Sequence, residues 1–144
     1  MRNAMIGIFD SKKYGDYMKI GYLPDTFGFN AQMPTLLEHA GFDNVIFWRG
    51  IHLGEHVASP YFKWQGLGEE ASIYAINMPQ GYGTGMLLEP TSAYVDGRLE
   101  VLIPSGNDQL NIISNFAEKL ATRWDAMIIN LAPIKILFNM LESA

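Results

Sequence analysis

Met18-Lys19-Ile20-Gly21-Tyr22-Leu23-Pro24-Asp25 and, one helical stretch later, Asn44-Val45-Ile46-Phe47-Trp48-Arg49-Gly50 are the segments that decide the fold of this chain. Each is a short apolar run that ends in polar or turn-forming residues, and Pro24-Asp25 stops the first. Between them, residues 31–40 carry apolar positions at helical spacing, with Pro34 in the first turn and Gly41 as the stop. The pattern predicts a β-α-β unit. The second run lacks polar alternation, as expected of a parallel-sheet strand covered on both faces. Upstream, Met5, Ile6 and Ile8 mix with Asp10, Lys12 and Lys13, which predicts the last turns of a helix running into a Tyr14-Gly15-Asp16 turn, as in a chain cut within a helix. Downstream, glycines and prolines punctuate residues 51–90 and leave two strands, Tyr61–Gln65 and Ser72–Asn77, expected to form a hairpin across Gly66-Leu67-Gly68. A strand at 99–104, a helix at 109–122, a strand at 124–131 and a closing helix at 133–141 complete the reading. Alternating units of this kind predict an α/β fold with a mainly parallel sheet and flanking helices. No repeat or linker divides residues 1–144, so one domain, or part of one, is expected.

Composition narrows the function. At 144 residues, 49% hydrophobic and 17% charged, the chain suits a single globular core. A net charge of -5 with ten scattered Lys and Arg argues against nucleic acid, whose phosphates demand clustered cations. The lack of cysteine excludes disulfides, thiolate metal sites and thiol nucleophiles, leaving His, Asp, Glu and hydroxyls to carry chemistry. No apolar run reaches the ~18 residues of a membrane span, and residues 1–5 do not lead into a secretory segment, so a soluble, cytoplasmic protein is expected.

Parallel α/β folds gather their sites at the carboxyl ends of strands. Three such ends stand out: residues 23–28 with Asp25, residues 47–50 with Arg49, and residues 103–108 with Asp108. Two carboxylates on neighbouring strand ends suit glycoside hydrolysis, one as nucleophile and the other as acid/base. An Asp ahead of a helix also serves as an N-cap, and either carboxylate could do only that. Trp48, Trp64 and Tyr61 could stack on sugar faces or fill the core. His52-Leu53-Gly54-Glu55-His56 matches a metalloprotease pattern, but Gly50, Gly54 and Pro60 predict a solvated loop instead of the required helix. His39 is expected on the surface at a helix end, and Gly81-Tyr82-Gly83-Thr84-Gly85 as a loop rather than a dinucleotide site. The apolar stretch at 128–141 is expected to pack on a further part of the domain or to promote association.

Leu23-Pro24-Asp25-Thr26-Phe27-Gly28-Phe29-Asn30-Ala31-Gln32-Met33-Pro34, followed by Gly41-Phe42 and Phe47-Trp48-Arg49-Gly50, resembles the catalytic region of glycoside hydrolase family 38 α-mannosidases, especially the bacterial, mannosylglycerate hydrolase-like branch. Phe62-Lys63-Trp64-Gln65-Gly66, Met78-Pro79 with Tyr82, and Leu102-Ile103-Pro104-Ser105-Gly106-Asn107-Asp108-Gln109 continue the likeness in order, over residues 10 to 120. The resemblance implies part of a (β/α) barrel-like catalytic domain and a retaining, zinc-assisted hydrolysis of α-mannosides. It makes Asp25 the nucleophile and also one zinc ligand, Asp108 the acid/base, and Arg49 the active-site arginine. Phe27 and Tyr82 fall on sugar-contacting positions, and Trp48 is placed beside them as a stacking residue. The family's upstream His-x-His-x-Asp-x-Gly-Trp zinc motif does not occur, and Phe29 stands where the family usually has His. The expectation is a truncated catalytic domain with an incomplete zinc site, whose partners are a mannoside and the rest of the domain or a second copy. The other reading is a catalytically incomplete carbohydrate-binding or structural remnant.

Overall fold

Leu23 and Phe47 face each other at the ends of two parallel strands, and that pairing organises the computed structural model, which describes residues 1–68, 71–83, 104, 106, 108, 109, 111, 114–116, 118 and 119. By backbone proximity the chain divides into two compact units, Met1–Asn77 and Met78–Ala144. In the first unit the order is α1 (Arg2–Ser11), a 3-10 turn (Lys12–Tyr14), β1 (Ile20–Leu23), α2 (Met33–His39), β2 (Asn44–Phe47), β3 (Tyr61–Gln65) and β4 (Ser72–Asn77). The predicted β-α-β unit forms, and both strands of the predicted hairpin have the expected bounds.

Helix α2 starts as its sequence directs. Asn30 folds back so that its Oδ1 accepts the Gln32 N–H at 3.0 Å, and Pro34 sits in the first turn, where a missing N–H costs nothing. Its end is a two-bond cap: Gly41 N–H donates to the Glu38 carbonyl at 2.8 Å and Phe42 N–H to the Leu37 carbonyl at 3.0 Å. Gly41 adopts φ +82 to allow this, and Phe42 then packs against the core.

The sheet runs β1-β2-β4-β3, with β1–β2 and β2–β4 parallel and β3–β4 antiparallel. It is therefore mixed, where a mainly parallel sheet was expected. The connection between β3 and β4 is too short for the crossover that parallel neighbours need, so the two can only return antiparallel. Of the two helices in this unit, α2 covers the sheet with Leu37, whereas α1 buries none of its residues. The core lies on the α2 side of the sheet and joins Leu37, Val45, Phe47, Ile73 and Ala75. All four residues of β2 are buried, as its unbroken apolar run predicted. Edge strand β3 alternates instead and leaves Lys63 exposed, a charge that discourages further strand pairing.

The strand expected at 99–104, apart from its last residue, and the elements expected at 124–131 and 133–141 lie outside the described residues, as does the apolar stretch at 128–141. The helix expected from Gln109 does not begin there. Gln109 and Asn115 have φ of +56 and +62, which no right-handed helix contains, and the helical residues begin at Phe116.

Candidate active site

The register of β1 against β2 places the first two candidate residues. Leu23 pairs with Phe47, so Asp25 and Arg49 each lie two residues beyond their strand's last paired position, and the 24-residue ladder offset equals their separation in sequence. Parallel strands send both loops out from the same end of the sheet. There the Arg49 Nε–H donates to Asp25 Oδ1 at 2.6 Å. Asp25 is not a helix cap: α2 has Gln32 at that position, with no side-chain capping bond.

Two aromatic rings hold the guanidinium. Arg49 Cζ lies 3.9 Å from the Trp48 ring centroid and 4.5 Å from that of Phe27, so the planar cation sits against both while its Nε binds the carboxylate. Trp48 is therefore not a core residue. The aromatics that fill the core are Phe29, Phe47 and Trp64, with Tyr61 buried in β3. The magnitudes separate these roles. The Asp25 and Arg49 side chains are 41% and 35% exposed, so the pair stabilises the fold by ~1 kcal/mol at most, and each ring contact by about as much. A buried core phenylalanine is worth ~3–5 kcal/mol. The Asp25–Arg49–Trp48–Phe27 arrangement thus contributes orientation more than stability, and Phe27, 78% exposed, spends a large apolar side chain on it in full view of solvent.

In the second unit Tyr82 and Asp108 come together: the Tyr82 hydroxyl donates to Asp108 Oδ2 at 2.9 Å. Asp108 sits in an exposed turn with Gln109, whose positive φ bends the chain sharply at the carboxylate. Gly81 and Tyr82 lie in a loop, as read.

The metalloprotease-like motif is a turn. His52 N–H donates to His56 Nδ1 and His56 N–H to the His52 carbonyl, both at 2.9 Å, so neutral His56 carries its proton on Nε2 and offers no lone pair outward. His39 is exposed at the end of α2, where its Nδ1–H donates to the Thr35 carbonyl at 2.7 Å. Among the described residues no three His, Cys, Asp or Glu side chains gather around a possible ion. Asp25 alone does not make a zinc site.

Phe29 shows what replaces a polar neighbour at its position. Its ring packs edge-on to Phe47 at 5.5 Å and Trp64 at 5.9 Å, and it lies directly under Gly50. Gly50 has φ +103, and a Cβ there would stand 3.2 Å from Phe29 Cδ2. Gly50→Ala is therefore expected to cost about 1–3 kcal/mol from backbone strain alone. A lowered urea midpoint at unchanged slope would show it.

Sequence reasoning missed Asn77. Its buried carboxamide donates to the Trp48 carbonyl at 2.6 Å and to the Phe47 carbonyl at 3.4 Å. A polar residue closing the apolar strand Ser72–Asn77 at its carboxyl end was the available signal.

Comparison with known proteins identifies the family. The profile described as "Glycosyl hydrolases family 38 N-terminal domain" matches residues 3–130. The chain belongs to this family. A putative mannosylglycerate hydrolase of Halalkalibacterium halodurans is 44% identical to the family 38 chain over 52 residues, which is 35% of this chain and 6% of that protein. The α-mannosidase of Saccharomyces cerevisiae is 35% identical over 77 residues, covering 51% of this chain and 7% of the yeast protein. A solved α-mannosidase from Enterococcus faecalis superposes with a TM-score of 0.54 at 30% identity, over 58% of this chain and 10% of that one. The family 38 chain thus spans a small part of the relatives it matches. No helix among its described residues is long and apolar enough to cross a membrane.

Proposed function

We propose that residues 1–144 are one stretch of a barrel-like catalytic domain that hydrolyses α-mannosides with retention of configuration. The observation that carries the reading is the Asp25–Arg49 contact at the end of two parallel strands, in a chain of family 38. With Oδ1 held by Arg49, Asp25 Oδ2 has no partner among the described residues and is the oxygen that attacks the anomeric carbon. Asp108 donates a proton to the glycosidic oxygen as its bond to that carbon breaks, which leaves a mannosyl ester on Asp25. Asp108 then takes a proton from water, the water oxygen attacks the same carbon, and the ester bond breaks to free mannose and Asp25. Two displacements restore the original configuration. Arg49 fixes the rotamer of the nucleophile. Trp48 and Phe27 supply apolar surface for a sugar ring, and Tyr82 orients Asp108. Zinc enters the reading only as an ion for which Asp25 is one ligand and groups beyond the described residues are the others, and no chemical step is drawn through it. Substrates of the mannosylglycerate type are favoured by the 44% identity to the Halalkalibacterium halodurans protein.

The test is release of nitrophenol from its α-mannoside, in zinc-containing buffer, by this chain and by its Asp108→Asn variant. Turnover that the variant loses supports the reading. A folded chain that gives no turnover, either alone or mixed with the polypeptide that completes the domain, overturns it in favour of a carbohydrate-binding remnant. In that case mannosides should still perturb tryptophan fluorescence through Trp48.

A further inference from the structure

Strand β2 ends at Phe47 and β1 at Leu23, so the peptide that carries Trp48 and Arg49 lies just past the paired ends of both strands. Asn77 is the last residue of β4 and faces Phe47 across the parallel ladder. Its side chain extends the pairing one residue past the point where the backbone stops. The Nδ2 group donates to the Trp48 carbonyl at 2.6 Å and the Phe47 carbonyl at 3.4 Å, while the Asn77 backbone N–H is tied to the Pro60 carbonyl at 2.8 Å. Asn77 is only 2% exposed, and burying a carboxamide costs free energy unless it makes such bonds. The Trp48 carbonyl belongs to the peptide that joins Trp48 to Arg49, so holding it fixes the plane from which the Arg49 side chain leaves.

We infer that Asn77 is the positioning residue of this site: it locks the Trp48–Arg49 peptide so that the Arg49 guanidinium meets the Asp25 carboxylate and the Trp48 ring together. Its meaning for catalysis rests on the function proposed above, but the contact itself does not. Asn77 touches neither carboxylate and acts only through Arg49. Asparagine suits the task because it brings two N–H donors on a short stem to two successive carbonyls. Aspartate would set a charge against both oxygens, and leucine would leave them without donors.

The test reads the Arg49 Nε–H proton by NMR in the 144-residue chain, without reference to turnover. In the unmodified chain the Asn77 Nδ2 protons should exchange slowly and show a nuclear Overhauser contact to the Arg49 amide proton. Fast exchange with no such contact overturns the inference, whatever any variant does. In Asn77→Asp and Asn77→Leu, Arg49 Nε–H should exchange roughly tenfold faster or more, as expected when a buried carbonyl loses its donor. The amide signals of α2 and β3 should stay in place. Asn77→Gln, which keeps the donor group one methylene further out, should recover part of the protection. A folded Asn77→Leu chain with Arg49 Nε–H still protected would overturn the assignment. So would equal loss of protection throughout the sheet, which is what a purely structural residue gives. Should the chain show no mannoside turnover, these signals still decide the role of Asn77, so the two readings fail separately.

Discussion

Asp25→Asn is expected to lower turnover of an aryl α-mannoside by roughly four to six orders of magnitude, the scale of loss when the attacking group of a covalent mechanism is removed. The substitution preserves volume, and the amide oxygen can still accept the Arg49 Nε–H, so the local geometry persists. What disappears is an oxygen able to form an ester with the anomeric carbon. Asp25→Glu should also be severely impaired. The carboxylate position is set by the Leu23–Phe47 register, and one extra methylene moves it out of line with a sugar whose other contacts do not move. Asp25→Ala offers a diagnostic beyond lost rate. It opens a carboxylate-sized space, and added azide should enter it, displace nitrophenolate from the anomeric carbon and leave a mannosyl azide of inverted configuration. Near-UV circular dichroism unchanged from the parent chain establishes that the fold is intact. A folded Asp25→Asn chain within tenfold of the parent rate would remove Asp25 from the role of nucleophile.

Much of this site could be read from the chain because parallel strands convert sequence spacing into spatial proximity. Once two apolar runs are taken as adjacent parallel strands, residues at equal distances past their ends must emerge side by side, as Asp25 and Arg49 do. The hairpin was equally legible, since Gly66-Leu67-Gly68 leaves its flanking strands no other way to pair. The length of β2 was not. Trp48 and Arg49 have strand-like neighbours in sequence, yet the strand stops at Phe47, where its partner β1 gives way to the Pro24-Asp25 turn and Pro24 has no N–H to offer. Nor could periodicity reveal that Arg49 lies against Trp48 and Phe27, or that Asn77 reaches across to the Trp48 carbonyl. Those are contacts between different loops and strand ends, and hydrophobic patterning reports only which face a residue takes within its own element. The left-handed turns at Gln109 and Asn115 escaped for a related reason: both residue types occur freely in helices, and nothing in their order marks a reversal.

Phe47→Ala should cost about 3–5 kcal/mol, close to the whole stability of a marginal domain. Phe47 is 1% exposed and stands at the centre of the aromatic cluster, with ring centroids of Trp64, Phe29 and Phe62 at 5.3, 5.5 and 6.1 Å. These partners come from β3 and from the loop between β1 and α2, so the void would loosen both of these segments along with β2 itself. Truncation should lower the urea midpoint by roughly 1–3 M, and the Trp64 emission should shift to the red as water reaches its ring. The site must suffer with the core. Phe29 is clamped between Phe47 and Trp64 directly beneath Gly50, the residue after Arg49, and the Phe47 carbonyl is one of the two acceptors of Asn77. A midpoint shift below about 0.5 M, well under the cost of a core cavity, would mean that these rings do not bear the fold. The orientation of Arg49 toward Asp25 would then have to come from the strand register, Asn77 and the Trp48 and Phe27 rings, without support from the core.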